Sequence, residues 1–285
     1  MSNRVALSLN SSFLGFFAHA GFLRALLKLG IRPVAVSGAS AGALVAGLFA
    51  AGIEPDEMLA LFASPELRTV FREPGAPYRG LATIFNVPGH TGAICGDRAE
   101  ALLRAKLGDR RIEDCRDPRL SVSVTDLTRG CSAAATTGPV ADMILASGAF
   151  PGVFAARPAE GRWFWDGGIA NPLPFDHWID DPDIDTILLH IVANPQEMAA
   201  RSGGRPYRMS QAANLSHQII CDELLRLKTE LARRAGKRLV LLRTLAPRPS
   251  LWNPAKVGAG CVEVGAQTVE QNRSALEPLL SQLVS

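Results

Sequence analysis

The sequence lacks the patterns that would place the chain in several large functional classes. Its five cysteines are dispersed singly, with no Cys-x-x-Cys pair and no histidine at metal-ligand spacing. Neither a disulfide framework nor a metal site is therefore predicted. No apolar run reaches the roughly 18–20 residues of a membrane-spanning helix. The net charge of +3 comes without any block of lysine and arginine, so nucleic-acid binding is not predicted. We expect no metal and no cofactor.

The composition and the first residues indicate an ordinary globular protein. Apolar residues make up 47% of the chain and charged residues 20%, a balance that supports one large core. Residues 1–4 lead directly into an apolar strand, without the pattern of a signal peptide. We therefore expect a single domain over residues 1–285 in the cytoplasm, either soluble or peripheral at a membrane surface.

Strand and helix patterns alternate along the first part of the chain. An apolar strand at residues 5–9 precedes a helical pattern over about residues 15–29, and a second strand at 33–37 precedes an apolar helix that ends near residue 51. Tandem strand–helix units with short links predict an α/β fold. The expected architecture is a three-layer sandwich in which helices flank a mainly parallel central sheet.

The remaining chain predicts further elements of this sandwich. Residues 55–117 have the pattern of short helices interrupted by prolines. We interpret this segment as a cap-like helical insertion whose apolar side chains either line a substrate tunnel or cover the sheet. These side chains are Leu59, Leu61, Phe62, Phe71, Leu81, Ile84 and Phe85. Strands are predicted at 120–126, 163–165, 186–192 and 239–243, and helices at 141–147, 211–235 and 262–276. In the helix at 211–235 the predicted buried face consists of Leu215, Ile219, Leu224, Leu227 and Leu231.

A Gly-x-Ser-x-Gly motif lies between the second strand and its helix. Gly38, Ser40 and Gly42 have the strand–turn–helix context of a nucleophile elbow. Small residues at those positions let the strand and the helix pass closely, and the start of the helix favours developing negative charge at the serine. Ser40 is therefore the predicted nucleophile.

The base that activates this serine has two candidates of different kinds. His90 and His177 occupy loops without a motif, His190 lies inside an apolar strand, and His217 lies inside the long helix. We interpret each as structural or solvent-exposed, although a histidine-triad esterase stays open. Asp166, at the end of a strand and before Gly167 and Gly168, can approach another backbone closely and is the preferred base.

Three blocks in order resemble the patatin-like phospholipase family. They are residues 26–52 (LLKLGIRPVAVSGASAGALVAGLFAAG), 146–154 (ASGAFPGVF) and 165–174 (WDGGIANPLP), with Thr-Asp-Leu at 125–127 matching a turn of the family. The resemblance covers about residues 5–175, and no pattern is identified after about residue 195. It implies a Ser/Asp dyad without histidine or metal, in which Ser40 attacks an ester carbonyl and Asp166 accepts its proton. It also implies a lipid or ester substrate, an acyl-enzyme intermediate and contact with a membrane or droplet surface.

The first loop departs from the family pattern. Where the family has a Gly-Gly-Gly-x-Arg/Lys-Gly stretch whose amides form the oxyanion hole, this chain has residues 10–15, NSSFLG. Either the amides of Ser11, Ser12 and Phe13 still form the hole, which we favour, or the hole is impaired and the chain is a catalytically weak protein that binds lipids or a partner. The basic residue is replaced by Leu14, which favours neutral esters over phospholipids.

Overall fold

The computed structural model describes residues 4–195, 209–250 and 255–280. Within these residues the strands are β1 (Val5–Leu9), β2 (Ala35–Gly38), β3 (Gly92–Ile94), β4 (Arg119–Asp126), β5 (Cys131–Ala135), β6 (Gly152–Phe154), β7 (Arg157–Ala159), β8 (Arg162–Asp166), β9 (Thr186–Ala193) and β10 (Arg238–Leu245). The helices are α1 (Phe16–Lys28), α2 (Ala41–Ala50), α3 (Pro55–Ala63), α4 (Pro65–Val70), α5 (Ala76–Ile84), α6 (Asp97–Leu107), α7 (Val140–Ser147), α8 (Gly167–Ala170), α9 (Met209–Arg234), α10 (Ala255–Gln271) and α11 (Arg273–Leu280). Short 3-10 turns cover Ile112–Asp114 and Asp176–Trp178.

The central sheet is mainly parallel, as predicted. Its strand order is β10-β9-β1-β2-β4-β8-β7, with β5 paired to β4. The first five strands run parallel, whereas β8, β7 and β5 are antiparallel additions at the β4 edge. Every residue of β1 and β2 is buried, as expected where helices cover both faces of a parallel sheet.

Two apolar cores lie on opposite faces of this sheet and make the three layers. Leu7 and Leu9 of β1 point into the larger core, with α1, α2, α7 and α10. Ala6 of β1 points into the smaller core, where it meets the segment around Phe175 and Trp178 and the helix α9. The period of two along β1 thus divides its side chains between the two cores.

The insertion between α2 and β4 contains four short helices and one short strand, in agreement with the interrupted pattern over residues 55–117. Its apolar side chains differ in their exposure to solvent. Leu61, Phe62 and Phe71 are buried, while Leu81, Ile84 and Phe85 are exposed. The expectation that all of them line a tunnel or cover the sheet is wrong for this last group, which lies on α5 and the residue after it.

Two other expectations for the second half need correction. In α9 the predicted buried face is largely at the surface: Ile219, Leu227 and Leu231 are more than half exposed. The helix touches the sheet instead through residues such as Leu225 and Ala232. The predicted helix over 262–276 is two helices, α10 and α11. Among the described residues, no helix is both long enough and apolar enough to cross a membrane.

Candidate active site

Ser40 occupies a strained turn between β2 and α2. Its φ of 53° and ψ of −118° lie outside the regions that L-residues normally adopt, a conformation that costs about 1–3 kcal/mol and persists only where the surroundings fix it. The Ser40 amide donates to Ser147 Oγ at 2.9 Å, and Ser147 Oγ donates to the carbonyl of Ser123 at 2.7 Å. The turn is therefore held from α7 and β4. Sequence reasoning did not single out Ser147, although it lies in the 146–154 block.

The glycines on either side of Ser40 are required by close backbone packing. A Cβ on Gly38 would lie 2.3 Å from the carbonyl carbon of Gly42, and a Cβ on Gly42 would lie 2.3 Å from the carbonyl oxygen of Leu9. Real Cβ atoms essentially never come so close to backbone atoms. The spacing of the motif thus follows from the passage of α2 over the end of β1.

Asp166 meets Ser40 from the end of β8. Ser40 Oγ donates to Asp166 Oδ2 at 2.6 Å, and the amide of Gly168 donates to Oδ1 at 2.7 Å. The side chain is almost completely buried, and this burial raises the pKa of Asp166 from 3.8 to about 7, against the opposing effect of the two hydrogen bonds. A carboxylate with this pKa is a base of useful strength near neutral pH.

Gly167 and Gly168 allow the aspartate to reach this position. A Cβ on Gly167 would lie 2.1 Å from the carbonyl oxygen of Ser123, and one on Gly168 would lie 2.0 Å from Ser11 Oγ. The segment beyond is anchored by Lys228 of α9, whose Nζ donates to Asn171 Oδ1 at 2.5 Å, Asp176 Oδ1 at 2.6 Å and the Leu173 carbonyl at 2.8 Å. Lys228 could not be predicted from the sequence, because it lies 62 residues after Asp166 and in no motif.

The loop over residues 10–15 lies beside the Ser40 turn and is held by its first residue. Asn10 Oδ1 accepts from the amide of Val192 at 2.8 Å, and Asn10 Nδ2 donates to the carbonyl of Ser11 at 2.8 Å. The amide of Ser11 donates to the carbonyl of Pro172 at 2.9 Å. Within the described chain, the amides of Ser12 and Phe13 have no acceptor. Two of the three predicted oxyanion donors are therefore available, and the third is already engaged.

A buried chain of hydrogen bonds supports this loop from beneath. His19 Nε2 is 3.1 Å from the carbonyl of Asn10, and His19 Nδ1 is 2.9 Å from His190 Nδ1. His190 Nε2 is 2.8 Å from Thr244 Oγ1, which is 2.6 Å from Thr268 Oγ1. Burial lowers the pKa of His19 to about 3 and that of His190 well below its usual range, so both rings are neutral.

The two histidine tautomers are coupled, because the Nδ1 atoms of His19 and His190 share one proton. At the loop end His19 Nε2 meets the carbonyl of Asn10 and, at 3.4 Å, Ser12 Oγ. At the other end Thr268 Oγ1 donates to the carbonyl of Val264 at 3.0 Å. The interpretation of His190 as a core residue is confirmed, since it is completely buried.

A cavity of about 760 Å³ opens over Ser40 and Asp166. One part of its wall is apolar and comes mainly from the insertion and α7, including Leu61, Phe62, Leu67, Phe71, Leu103 and Ile144. Another part is polar and includes Asn194, His217, Gln218, Asp222, Arg243 and Arg248. The guanidinium of Arg248 lies 5.2 Å from the ring centre of Phe13, which links the end of β10 to the loop. The cavity suits a molecule with a long apolar part and a polar part.

No histidine in the described part of the chain bonds to Ser40. His217 lines the cavity and approaches the carbonyl of Gly168 at 3.3 Å, while His177 packs on Trp178 and His90 on Tyr78. Across the described ranges, no three His, Cys, Asp or Glu side chains are grouped as a metal site would need.

Comparison with known proteins identifies a family for this chain. The model of the patatin-like phospholipase domain matches residues 7–179. Uncharacterized NTE family proteins of Mycobacterium tuberculosis and Mycobacterium bovis are 36% identical over 178 residues, which is 61% of this chain and 45% of each relative. The chain thus matches less than half the length of these relatives.

Solved structures are similar to this chain at lower identity. VipD from Legionella pneumophila has a TM-score of 0.51 at 15% identity, covering 96% of this chain and 67% of VipD. ExoU in its complex with SpcU from Pseudomonas aeruginosa has a TM-score of 0.43 at 19% identity, covering 95% and 52%. The VipD likeness concerns the fold, whereas the domain match extends over most of the chain. The chain belongs to the patatin-like phospholipase family.

Proposed function

We propose that the protein is a serine acyl hydrolase that cleaves carboxylic esters of lipids through Ser40 and Asp166. The observation that carries this proposal is the 2.6 Å hydrogen bond from Ser40 Oγ to Asp166 Oδ2. A serine hydroxyl is a weak nucleophile until a neighbouring base accepts its proton. Membership of the patatin-like phospholipase family supports a lipid hydrolase.

The reaction follows from these two side chains. Ser40 Oγ bonds to the ester carbonyl carbon while its proton passes to Asp166 Oδ2. The tetrahedral intermediate then expels the alcohol, which takes that proton from Asp166, and an acyl group remains on Ser40. Water attacks the acyl carbon and gives its proton to Asp166, the acid departs, and Ser40 Oγ recovers the proton. Every step uses one carboxylate as base and then as acid, so no histidine is needed.

We assign the oxyanion hole to the amides of Ser12 and Phe13, assisted by the amide of Ala41. Ala41 is the first residue of α2 and lines the cavity, and its amide has no acceptor in the described part of the chain. An amide directly after a nucleophile commonly serves this role. The amide of Ser11 is left out because it bonds to Pro172. Serine and phenylalanine suffice here, because an amide donates equally well from any residue other than proline.

The two parts of the cavity suggest how a lipid ester binds. The acyl chain lies along the apolar wall at Leu61, Phe62 and Phe71, and the alcohol portion lies towards Arg243 and Arg248. Leu14 leaves the loop without the basic residue of the family pattern, but Arg243 and Arg248 line the cavity from β10 and the segment after it, together with Asp222. The preference for neutral esters over phospholipids stays a prediction.

Labelling with a fluorophosphonate probe tests the proposal. The wild-type protein should be labelled covalently, and Ser40→Ala should abolish the labelling because its hydroxyl supplies the bond to phosphorus. Ser132→Ala, which changes an exposed serine on β5, is the matched control and should be labelled like wild type. A wild-type protein that folds but takes no label would contradict the proposal and favour the catalytically weak binding protein.

A second prediction concerns the buried chain beneath the loop. His190→Phe keeps an aromatic ring stacked on Phe22 but leaves His19 Nδ1 and Thr244 without their partner, which costs about 1–3 kcal/mol of stability. It should also lower kcat on a soluble ester about tenfold with little change in KM, because the loop amides lose their fixed position.

Thr268→Val is the control for this substitution. It removes the last hydroxyl of this series of hydrogen bonds, at the end farthest from the loop. The contacts from Asn10 to Thr244 stay in place. It should lower stability without lowering kcat. If both variants lose kcat in proportion to stability, these hydrogen bonds only stabilise the core and do not position the loop.

A further inference from the structure

The most exposed apolar surface of the described chain lies on one short element. Tyr78, Leu81, Ile84 and Phe85 of α5 and its end are 68%, 58%, 76% and 76% exposed, and Val87 in the following turn is 41% exposed. Their spacing of three and four residues places the helical members on one face. A cluster of exposed apolar side chains, unlike single ones scattered over a surface, commonly marks an interaction site.

This face is presented by a well-anchored helix. The guanidinium of Arg79 on the opposite side of α5 donates to the carbonyl of Ala93 at 2.9 Å and to the carboxylate of Glu73 at 3.1 Å. Glu73 is buried and also accepts from the amides of Cys95 and Gly96. The polar side of the helix is thus fixed against β3, which holds the apolar side in position towards solvent.

The same element adjoins the wall of the active-site cavity. β3 pairs with β6, and Val153 and Phe154 of β6 line the cavity. The turn before β6 carries Phe150, which also lines the cavity and is half exposed, and Gly152 donates to the carbonyl of Thr91 at 2.9 Å. The α5 face and the apolar edge of the cavity therefore belong to one structural unit.

The segment that carries the apolar face is electrically neutral. Residues 74–96 contain no aspartate or glutamate, and their one formal charge, Arg79, is paired with Glu73. A surface with large apolar side chains and no acid meets no electrostatic penalty against phosphate-bearing headgroups. Aromatic residues such as Tyr78 and Phe85 are well suited to the boundary between headgroups and acyl chains.

We propose that the apolar face formed by Tyr78, Leu81, Ile84, Phe85 and Val87 docks on the surface of a phospholipid bilayer and brings Phe150 and the cavity edge against it. This inference rests on the proposed function, since a lipid ester has to leave the bilayer to reach Ser40. Docking shortens that path, because the acyl chain passes from the membrane directly along the apolar wall of the adjoining cavity.

Binding to vesicles in the Ser40→Ala background tests the docking apart from hydrolysis. The probe is a suspension of phosphatidylcholine vesicles, alone and with phosphatidylglycerol, and the readout is the partition coefficient from cosedimentation. Ile84→Ser/Phe85→Ser should weaken partitioning about tenfold or more, because two large side chains no longer enter the membrane. Leu227→Ser/Leu231→Ser is the matched control, since these leucines of α9 are also half exposed, and it should bind like the parent.

Activity assays with proteins that retain Ser40 complete the test. The α5 variant should hydrolyse a dispersed short-chain p-nitrophenyl ester at the parental rate but a vesicle-borne ester at least about tenfold more slowly. Absence of all hydrolysis would remove the proposed function and leave the vesicle result to decide the docking. Equal loss of vesicle binding in both double variants, or a parent protein that self-associates through α5 in sedimentation analysis and does not bind vesicles, would overturn the inference.

Discussion

The Asp166→Asn variant is expected to lose hydrolytic activity and to become more stable than wild type at pH 8. Asparagine keeps an oxygen for the amide of Gly168 but cannot accept the proton of Ser40, so kcat should fall about 10³–10⁴-fold. The stability gain follows from burial, which raises the pKa of Asp166 to about 7. Ester hydrolysis and urea unfolding on the same preparations measure both effects.

The sign of the stability effect depends on pH. A carboxyl whose folded pKa exceeds its unfolded pKa favours the protonated form in the folded state, so the folded protein loses stability as pH rises from about 4 to about 7. With pKa values of 3.8 and about 7, the loss above pH 7 is about 4 kcal/mol. The neutral asparagine has no such penalty. The stability difference between Asp166→Asn and wild type should therefore be small at pH 4 and approach this value at pH 8.

The activity of wild type supplies the counterpart of this experiment. A base has to be unprotonated, so kcat/KM should fall tenfold for each pH unit below about 7. His19 and His190 do not cause this acidic limb of the pH profile, because burial keeps both rings neutral in that pH range. His217 lines the cavity, so His217→Gln is the control and should keep the limb at the same pH. A limb that disappears in that variant, or an Asp166→Asn variant that retains wild-type kcat, would contradict the assignment of Asp166 as base.

Close backbone contacts explain why the centre of the site could be predicted from the sequence. Gly38 occurs where β2 meets the first turn of α2, Gly42 where α2 passes the end of β1, and Gly167 where the residue after β8 meets β4. Such contacts demand glycine, and the demand is visible as a local pattern around Ser40 and Asp166. The five parallel strands were predicted because a sheet that is buried on both faces is built from mostly apolar segments. The short strands β3, β5, β6 and β7 were not predicted.

Long-range contacts explain what the sequence could not predict. His19 and His190 are 171 residues apart, and nothing local to either indicates the other. The amide of Ser11 is engaged by a carbonyl in a segment 161 residues away, so its removal from the oxyanion hole needs the fold. The exposed leucines of α9 have the same spacing as a buried face, because helical periodicity identifies an apolar face but not what covers it.

Gly42→Ala is expected to cause the second large effect, on folding and catalysis together. The new Cβ would lie 2.3 Å from the carbonyl oxygen of Leu9 and 2.8 Å from that of Asn10. Neither backbone oxygen can move without displacing the end of β1 or the start of α2. We expect a loss of about 3 kcal/mol or more of unfolding free energy. Because the displaced loop carries the proposed oxyanion amides, kcat on a soluble ester should fall about 100-fold in the protein that folds.

A graded series of glycine substitutions separates steric displacement from the general effect of alanine in a helix. Gly260→Ala on α10 meets nothing within 4 Å and should gain about 0.5–1 kcal/mol, the usual preference for alanine over glycine. Gly47→Ala on α2 meets the Cδ1 and Cγ1 atoms of Ile144 at 2.6 and 2.8 Å. These atoms belong to a side chain, which shifts more easily than a backbone carbonyl, so the variant should lose about 1–3 kcal/mol and keep its kcat. A Gly42→Ala protein as stable and active as Gly260→Ala would mean that the approach of α2 to β1 does not set the position of the loop. The expected order instead links the absence of a side chain at Gly42 to the position of the proposed oxyanion amides.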